Sequence, residues 1–103
     1  MEGAAQFADL QSAYAGDPAV VAGQMFGKPC LKVGGKAFVA HQKDRIAFKL
    51  TGAVHAAALA EAAAVLWDPS GMQRPMKEWV ALPVAQNGNF RHYAAAAKTY
   101  VKG

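Results

Sequence analysis

Gly34-Gly35 stands between two short β-rich runs, Cys30 to Val33 and Lys36 to His41, and constrains the fold of this chain more than any other pair of residues. A two-residue turn closing a hairpin needs positive φ at its centre, which glycine adopts without a Cβ penalty. The pair predicts an antiparallel hairpin with Val33 opposite Lys36 and Leu31 opposite Phe38. A third extended segment, Arg45 to Leu50, follows Gln42-Lys43-Asp44. A three-residue loop there sets Ala40 against Ile46 and Phe38 against Phe48, gathering every large apolar side chain of the segment except Val39 on one face. The opposite face then displays Cys30, Lys32, Ala37, Val39, His41, Arg45, Ala47 and Lys49.

Other elements follow from periodicity. Phe7, Leu10 and Tyr14 recur at helical spacing over residues 4–15, and Gly16-Asp17-Pro18 ends the run. Ala19 to Phe26 reads as a strand ahead of the hairpin. A helix is expected from about Ala53 to Leu66, with Thr51 as its cap and alanine supplying propensity, and Asp68-Pro69-Ser70-Gly71 as its stop. One or two strands lie between Met72 and Leu82. A last helix spans Asn89 to Val101, with Phe90, Tyr93, Ala94, Ala97, Tyr100 and Val101 on one face. The order is α-β-β-β-(β)-α-β-β-α, an α+β fold in which helices pack on an antiparallel sheet.

A chain of 103 residues is sized for a single domain with one core. Its apolar runs are shorter than the roughly 18 residues a membrane span needs, and Met1-Glu2-Gly3-Ala4 lacks the basic start of a signal peptide. A soluble cytoplasmic protein is expected, with no membrane partner. One cysteine, Cys30, excludes an intrachain disulfide and a thiolate metal cluster. Charge is uneven: residues 1–27 carry a net −3, and residues 28–49 a net +5. Such asymmetry suits a phosphate-binding face, but lysines on strand surfaces also keep sheet edges from pairing.

Candidate chemistry is sparse. Cys30 and His41 share the outer face in the register above, the one nucleophilic arrangement worth naming, although no orienting acid or oxyanion donor accompanies them. Met25, Phe26, Cys30 and His41 mark a candidate pocket. Three scattered histidines do not make a zinc site, so neither metal nor cofactor is expected. Gly34-Gly35-Lys36 is followed by a strand, whereas a phosphate loop opens onto a helix. Lys32, Arg45, Lys49 and Lys77 form a basic sheet face. Trp79 is either a stacking surface beside Lys77 or the largest core residue.

Four segments, read together, carry a resemblance: Met25-Phe26-Gly27, Gly35-Lys36-Ala37-Phe38-Val39-Ala40, Ile46-Ala47-Phe48-Lys49, and Arg74-Pro75-Met76-Lys77-Glu78-Trp79-Val80-Ala81-Leu82-Pro83. With a closing amphipathic helix they resemble the TfoX N-terminal domain family over nearly the whole chain, residues 1–103, and more distantly the MmcQ/YjbR family. The resemblance implies the order αβββαββα and a regulatory role, since TfoX proteins resemble regulators of competence gene expression and the MmcQ/YjbR group is commonly labelled DNA-binding. Lys28-Pro29-Cys30 stands where many relatives place a glycine-rich or aromatic segment. The expected function is a small non-catalytic regulatory module, not an enzyme. It acts by protein binding, through the outer sheet face or an exposed strand edge, with a second copy among its candidate partners. The alternative is a nucleic-acid binder using Lys32, Arg45, Lys49, Lys77 and Trp79.

Overall fold

The computed structural model describes residues 3–61, 63–84 and 90–103. A helix α1 (Gly3–Ala13) leads into a four-strand meander, β1 (Val20–Met25), β2 (Lys28–Val33), β3 (Lys36–Gln42) and β4 (Arg45–Lys49). A helix α2 (Gly52–Leu59), a short strand β5 (Val65–Trp67), a long strand β6 (Met76–Pro83) and a helix α3 (Phe90–Lys102) complete the chain. The strands form one antiparallel sheet in the order β1-β2-β3-β4-β6-β5. The expected α+β architecture is present.

Glycine does at Gly34-Gly35 what the sequence requires, with φ of 59° and 80° and Val33 opposite Lys36. Beyond this turn the register departs from expectation. The ladder slips between Leu31 and Lys32, so Lys32 faces Ala37, Leu31 faces Val39, and Phe38 is the extra residue of a β-bulge. The next connection is correspondingly short. Gln42 pairs with Arg45 across a two-residue loop, with Lys43 at φ 56°, so Ala40 meets Ala47 and His41 meets Ile46. Bulge and short loop offset one another: Phe38, Val39, Ile46 and Phe48 all still enter the main core. What moves is Val39, expected outside and found inside, and His41, which crosses to the same side and stacks on Phe7 at 5.6 Å.

Helices cover this inner face. Phe7 and Leu10 of α1, and Phe90, Tyr93, Ala94, Ala97 and Val101 of α3, close over Leu31, Val33, Phe38, Phe48, Val80 and Leu82. Tyr14, just past α1, meets Phe38 edge-on at 5.6 Å. Tyr100 falls at the margin of the α3 stripe, where its hydroxyl donates to Glu78. α2 is shorter than its alanine content suggests. Ala60 caps it in helical geometry, Ala63 turns the chain at φ 62°, and Val65-Leu66-Trp67 joins the sheet against β6. Alanines offer propensity but little area to bury, whereas Leu66 and Trp67 gain a sheet edge and apolar cover there. Thr51 takes the N-cap position in extended geometry, with no side-chain capping bond.

A second apolar layer lies on the outer face, where none of the described helices packs. Cys30, Ala40, Ala47 and Ala81 floor it on four adjacent strands, and Trp67 and Trp79 lie over them with ring centroids 5.1 Å apart. Gln42 accepts from Trp67 Nε1 at 2.8 Å, which satisfies the one polar atom of that indole. Truncating Phe38 at the bulge should destabilise the fold by about 3–5 kcal/mol. Truncating exposed Val21 on β1 should shift it by no more than about 0.5 kcal/mol. Urea unfolding of Phe38→Ala and Val21→Ala checks both.

Candidate functional site

The bulge separates the residues that sequence reading had grouped. Cys30 lies on the outer face and is sealed beneath the tryptophan layer, whereas His41 is on the inner face, its Nε2 donating to the Lys43 carbonyl at 2.7 Å. A sheet stands between thiol and imidazole, and the paired reading is corrected accordingly. Burial pushes the Cys30 thiol above its ordinary value, with Lys32 opposing only in part. Such a thiol is a packing group, not a nucleophile. The expected pocket of Met25, Phe26, Cys30 and His41 does not assemble: Met25 packs against the margin of the outer layer, and Phe26 stands at the β1–β2 turn, 65% exposed.

The basic set keeps the outer face expected of it, Lys32, Arg45, Lys49 and Lys77 each standing two residues from a member of the outer layer, but part of it is engaged. Arg45 donates to the Ala63 carbonyl at 2.9 Å, Lys49 pairs with Glu78 at 3.8 Å, and Lys77 is exposed. Trp79 faces outward from the sheet yet is only 3% exposed, covered with Trp67. It therefore presents no open ring for stacking. His55 Nε2 donates to the Lys77 carbonyl at 2.8 Å, and exposed His92 lies beside Tyr93. Among the described residues no group of three His, Cys, Asp or Glu side chains could hold a metal. No described helix is long and apolar enough to cross a membrane. Two concavities lie against α2 and α3, one of about 480 Å³ on Leu50, Val54, Ala96 and Tyr100 with Thr51, Thr99 and His92 at its wall, and one of about 520 Å³ on Ala53, Ala57, His92 and Tyr93; neither is lined by an acid or a cysteine.

What the fold does expose is the edge at β1. No described strand lies beyond it. Phe26 and Gly27, at φ 53° and 73°, make the two-residue turn that closes β1 onto β2, with Met25 opposite Lys28. In such a turn the flanking pair is hydrogen-bonded and the bonding alternates from there. Met25, Gly23 and Val21 therefore bond to β2, and Ala22 and Gln24 aim N–H and C=O outward. The amide of Val20 is already taken by the Asp17 carbonyl at 3.1 Å.

Natural edge strands are blunted by charge, proline or brevity. β5, with three residues, is short. β1 spans six, Val-Val-Ala-Gly-Gln-Met, without a charge or a proline. Its outer face shows Val21, 54% exposed, then Gly23, then Met25, and ends at Phe26. Phe26 holds a left-handed backbone conformation that aromatic residues rarely adopt. Beside it Pro69, Ser70, Arg74 and Met76 outline a hollow of about 290 Å³. Sequence reading names Phe26, Lys32 and an exposed strand edge but not which strand supplies it, because strand order is not written in local periodicity.

At the start of β1 the chain is fastened to α3. Lys98 donates to the Asp17 carboxylate, which also accepts from the Ala19 amide at 2.9 Å. No protein-family model, curated protein or solved structure matches this chain.

Two outcomes follow. Cys30 should resist a disulfide reagent in the native protein and react promptly once denaturant opens the outer layer, measured as thiol released over time. The hydrogen bonds from Lys98 and Ala19 hold the Asp17 carboxyl below its ordinary 3.8. A depressed carboxyl contributes stability that is full above the unfolded value and lost as pH falls through the folded one. Asp17→Asn should therefore flatten the loss of stability below about pH 4, read from urea midpoints across an acid series.

Proposed function

We propose that this chain is a small non-catalytic regulatory module that binds a protein partner by accepting an extended segment along β1. The observation that carries the reading is the outward-facing backbone of Ala22 and Gln24 on a full-length edge strand without charge or proline. Strand addition of this kind draws affinity from main-chain hydrogen bonds and selectivity from alternate side chains. Val21 and Phe26, the exposed apolar groups along that edge, would bury against such a segment. A regulatory role is supported by the motifs that resemble the TfoX N-terminal domain family. A cytoplasmic setting belongs to the same proposal, supported by a chain with one cysteine.

Nucleic-acid binding is the weaker reading. Of its five named residues, Trp79 is covered, and Arg45 and Lys49 are engaged with Ala63 and Glu78. Lys32 and Lys77 are left to carry it.

Ala22→Pro tests the protein-binding reading, because it deletes an N–H that the β1–β2 ladder does not use and edge strands tolerate proline. Peptides selected from a random library against the wild-type domain should perturb the Ala22 and Gln24 amide resonances and bind Ala22→Pro at least about tenfold more weakly, a loss of about 1.4 kcal/mol. Peptides that map to another surface, or that ignore the proline, would refute the edge as the binding element.

A further inference from the structure

Resting on that edge reading, we infer that the segment β1 accepts is acidic at one defined position, with an apolar residue two places to either side. The inference comes from how β2 fills the gap left by Gly23. Gly23 lies opposite Cys30 and interrupts the outer-face row between Val21 and Met25. The Lys32 stem is drawn across that gap: a methyl group placed on Gly23 would meet Lys32 Cε at 3.0 Å and Cδ at 3.3 Å, with Nζ at 3.5 Å. The lysine thus reaches over β1 through the one position without a side chain and sets its ammonium at the middle of the edge. Any other residue at position 23 would push it away.

Among the described residues no ion pair neutralises this charge. Asp17 is bound by Lys98, Asp9 by Arg91 at 2.7 Å, Glu78 by Tyr100 and Lys49, Glu61 by Tyr93, and Asp68 by the amides of Gly71 and Arg74. Lys32 has no ion-pair partner among the described residues. Lys28, on the same face two residues before Cys30, and Arg74, beside Phe26, are of the same sign. A strand laid on β1 sends alternate side chains to the outer face, opposite Val21, Gly23 and Met25. The end positions meet apolar groups and the middle one meets the ammonium. The segment recognised is apolar–x–acid–x–apolar.

A second copy of this chain fits less well. With Ala22 and Gln24 supplying the outward bonds, a two-fold antiparallel pair centres on Gly23 and brings Lys32 against its equivalent. Like charges facing across strands are destabilising, and each copy adds a net charge of +4.

The test uses three capped seven-residue peptides, Thr-Val-Thr-Xaa-Thr-Val-Thr, in which Xaa is Glu, Gln or Lys; the pattern is the same in either strand direction. Binding is followed by the Ala22 and Gln24 amide resonances at low ionic strength. The wild-type domain should prefer Glu over Lys by about fivefold or more, the upper range for a cross-strand charge pair. Lys32→Glu should reverse that order, and added salt should reduce both preferences. Equal binding of all three peptides at this edge would overturn the acidic position and leave the edge reading standing. No perturbation of either amide by any peptide would overturn both. Sedimentation of the free domain as a dimer with these amides protected would make a second copy the occupant, and displacement of the Glu peptide by single-stranded DNA would make it a polyanion; either overturns the inference.

Discussion

One extra residue in β3 decides what each face of this sheet is made of. Had the ladder run evenly from Gly34-Gly35, Val39 and His41 would line the outer face and Ala40 the inner. The bulge at Phe38 inverts the strand beyond it, so that two large residues in succession, Phe38 and Val39, serve the helical core and Ala40 joins the outer floor. The two-residue loop at Lys43-Asp44 offsets the inversion, so that Ile46 and Phe48 of β4 stay in the helical core, and β6 pairs to match with Phe48 opposite Val80 and Ala47 opposite Ala81. Strand pairing has a side-chain period of two, so a single insertion is enough to reassign the rest of its own strand, Val39 to Gln42.

The bulge together with the short loop makes it feasible to bury the sheet on both sides with the three described helices on one of them. The inner face takes α1 and α3. The outer face receives none of the described helices, and its central positions are Cys30, Ala40, Ala47 and Ala81. Small residues on four neighbouring strands leave a shallow bed, and two indoles are large enough to close it, the more so with Met25 and Met76 at its margins. A valine or leucine on that floor would lift the rings. The same closure explains why Cys30 and Trp79 are both covered: each belongs to a packed layer.

How much of this could be read from the sequence depends on whether the signal was local. The Gly34-Gly35 turn, the apolar stripe of α3 and the α+β order follow from turn chemistry and periodicity within a few residues. The register of β3 does not, because either register collects large apolar side chains and the choice rests on the unequal demands of two opposite layers. The end of α2 was misread for a related reason. Local propensity favours helix through an alanine run, and only the distant β6 supplies the partner that draws Val65-Leu66-Trp67 into the sheet. Lys32 was legible as a basic residue of the sheet surface. Its role at the edge was not, since it depends on Gly23, nine positions earlier and brought beside it only by the hairpin.

The tryptophan pair has an optical consequence. Both tryptophans of the chain lie in the outer layer, tilted at 52° and in contact, and none lies on the helical side. Intrinsic fluorescence and any near-ultraviolet coupling between the two indoles therefore report on one half of the molecule alone, while far-ultraviolet dichroism is weighted to the helices of the other. Loosening of the outer layer and melting of the helical core are separable by colour, without a label.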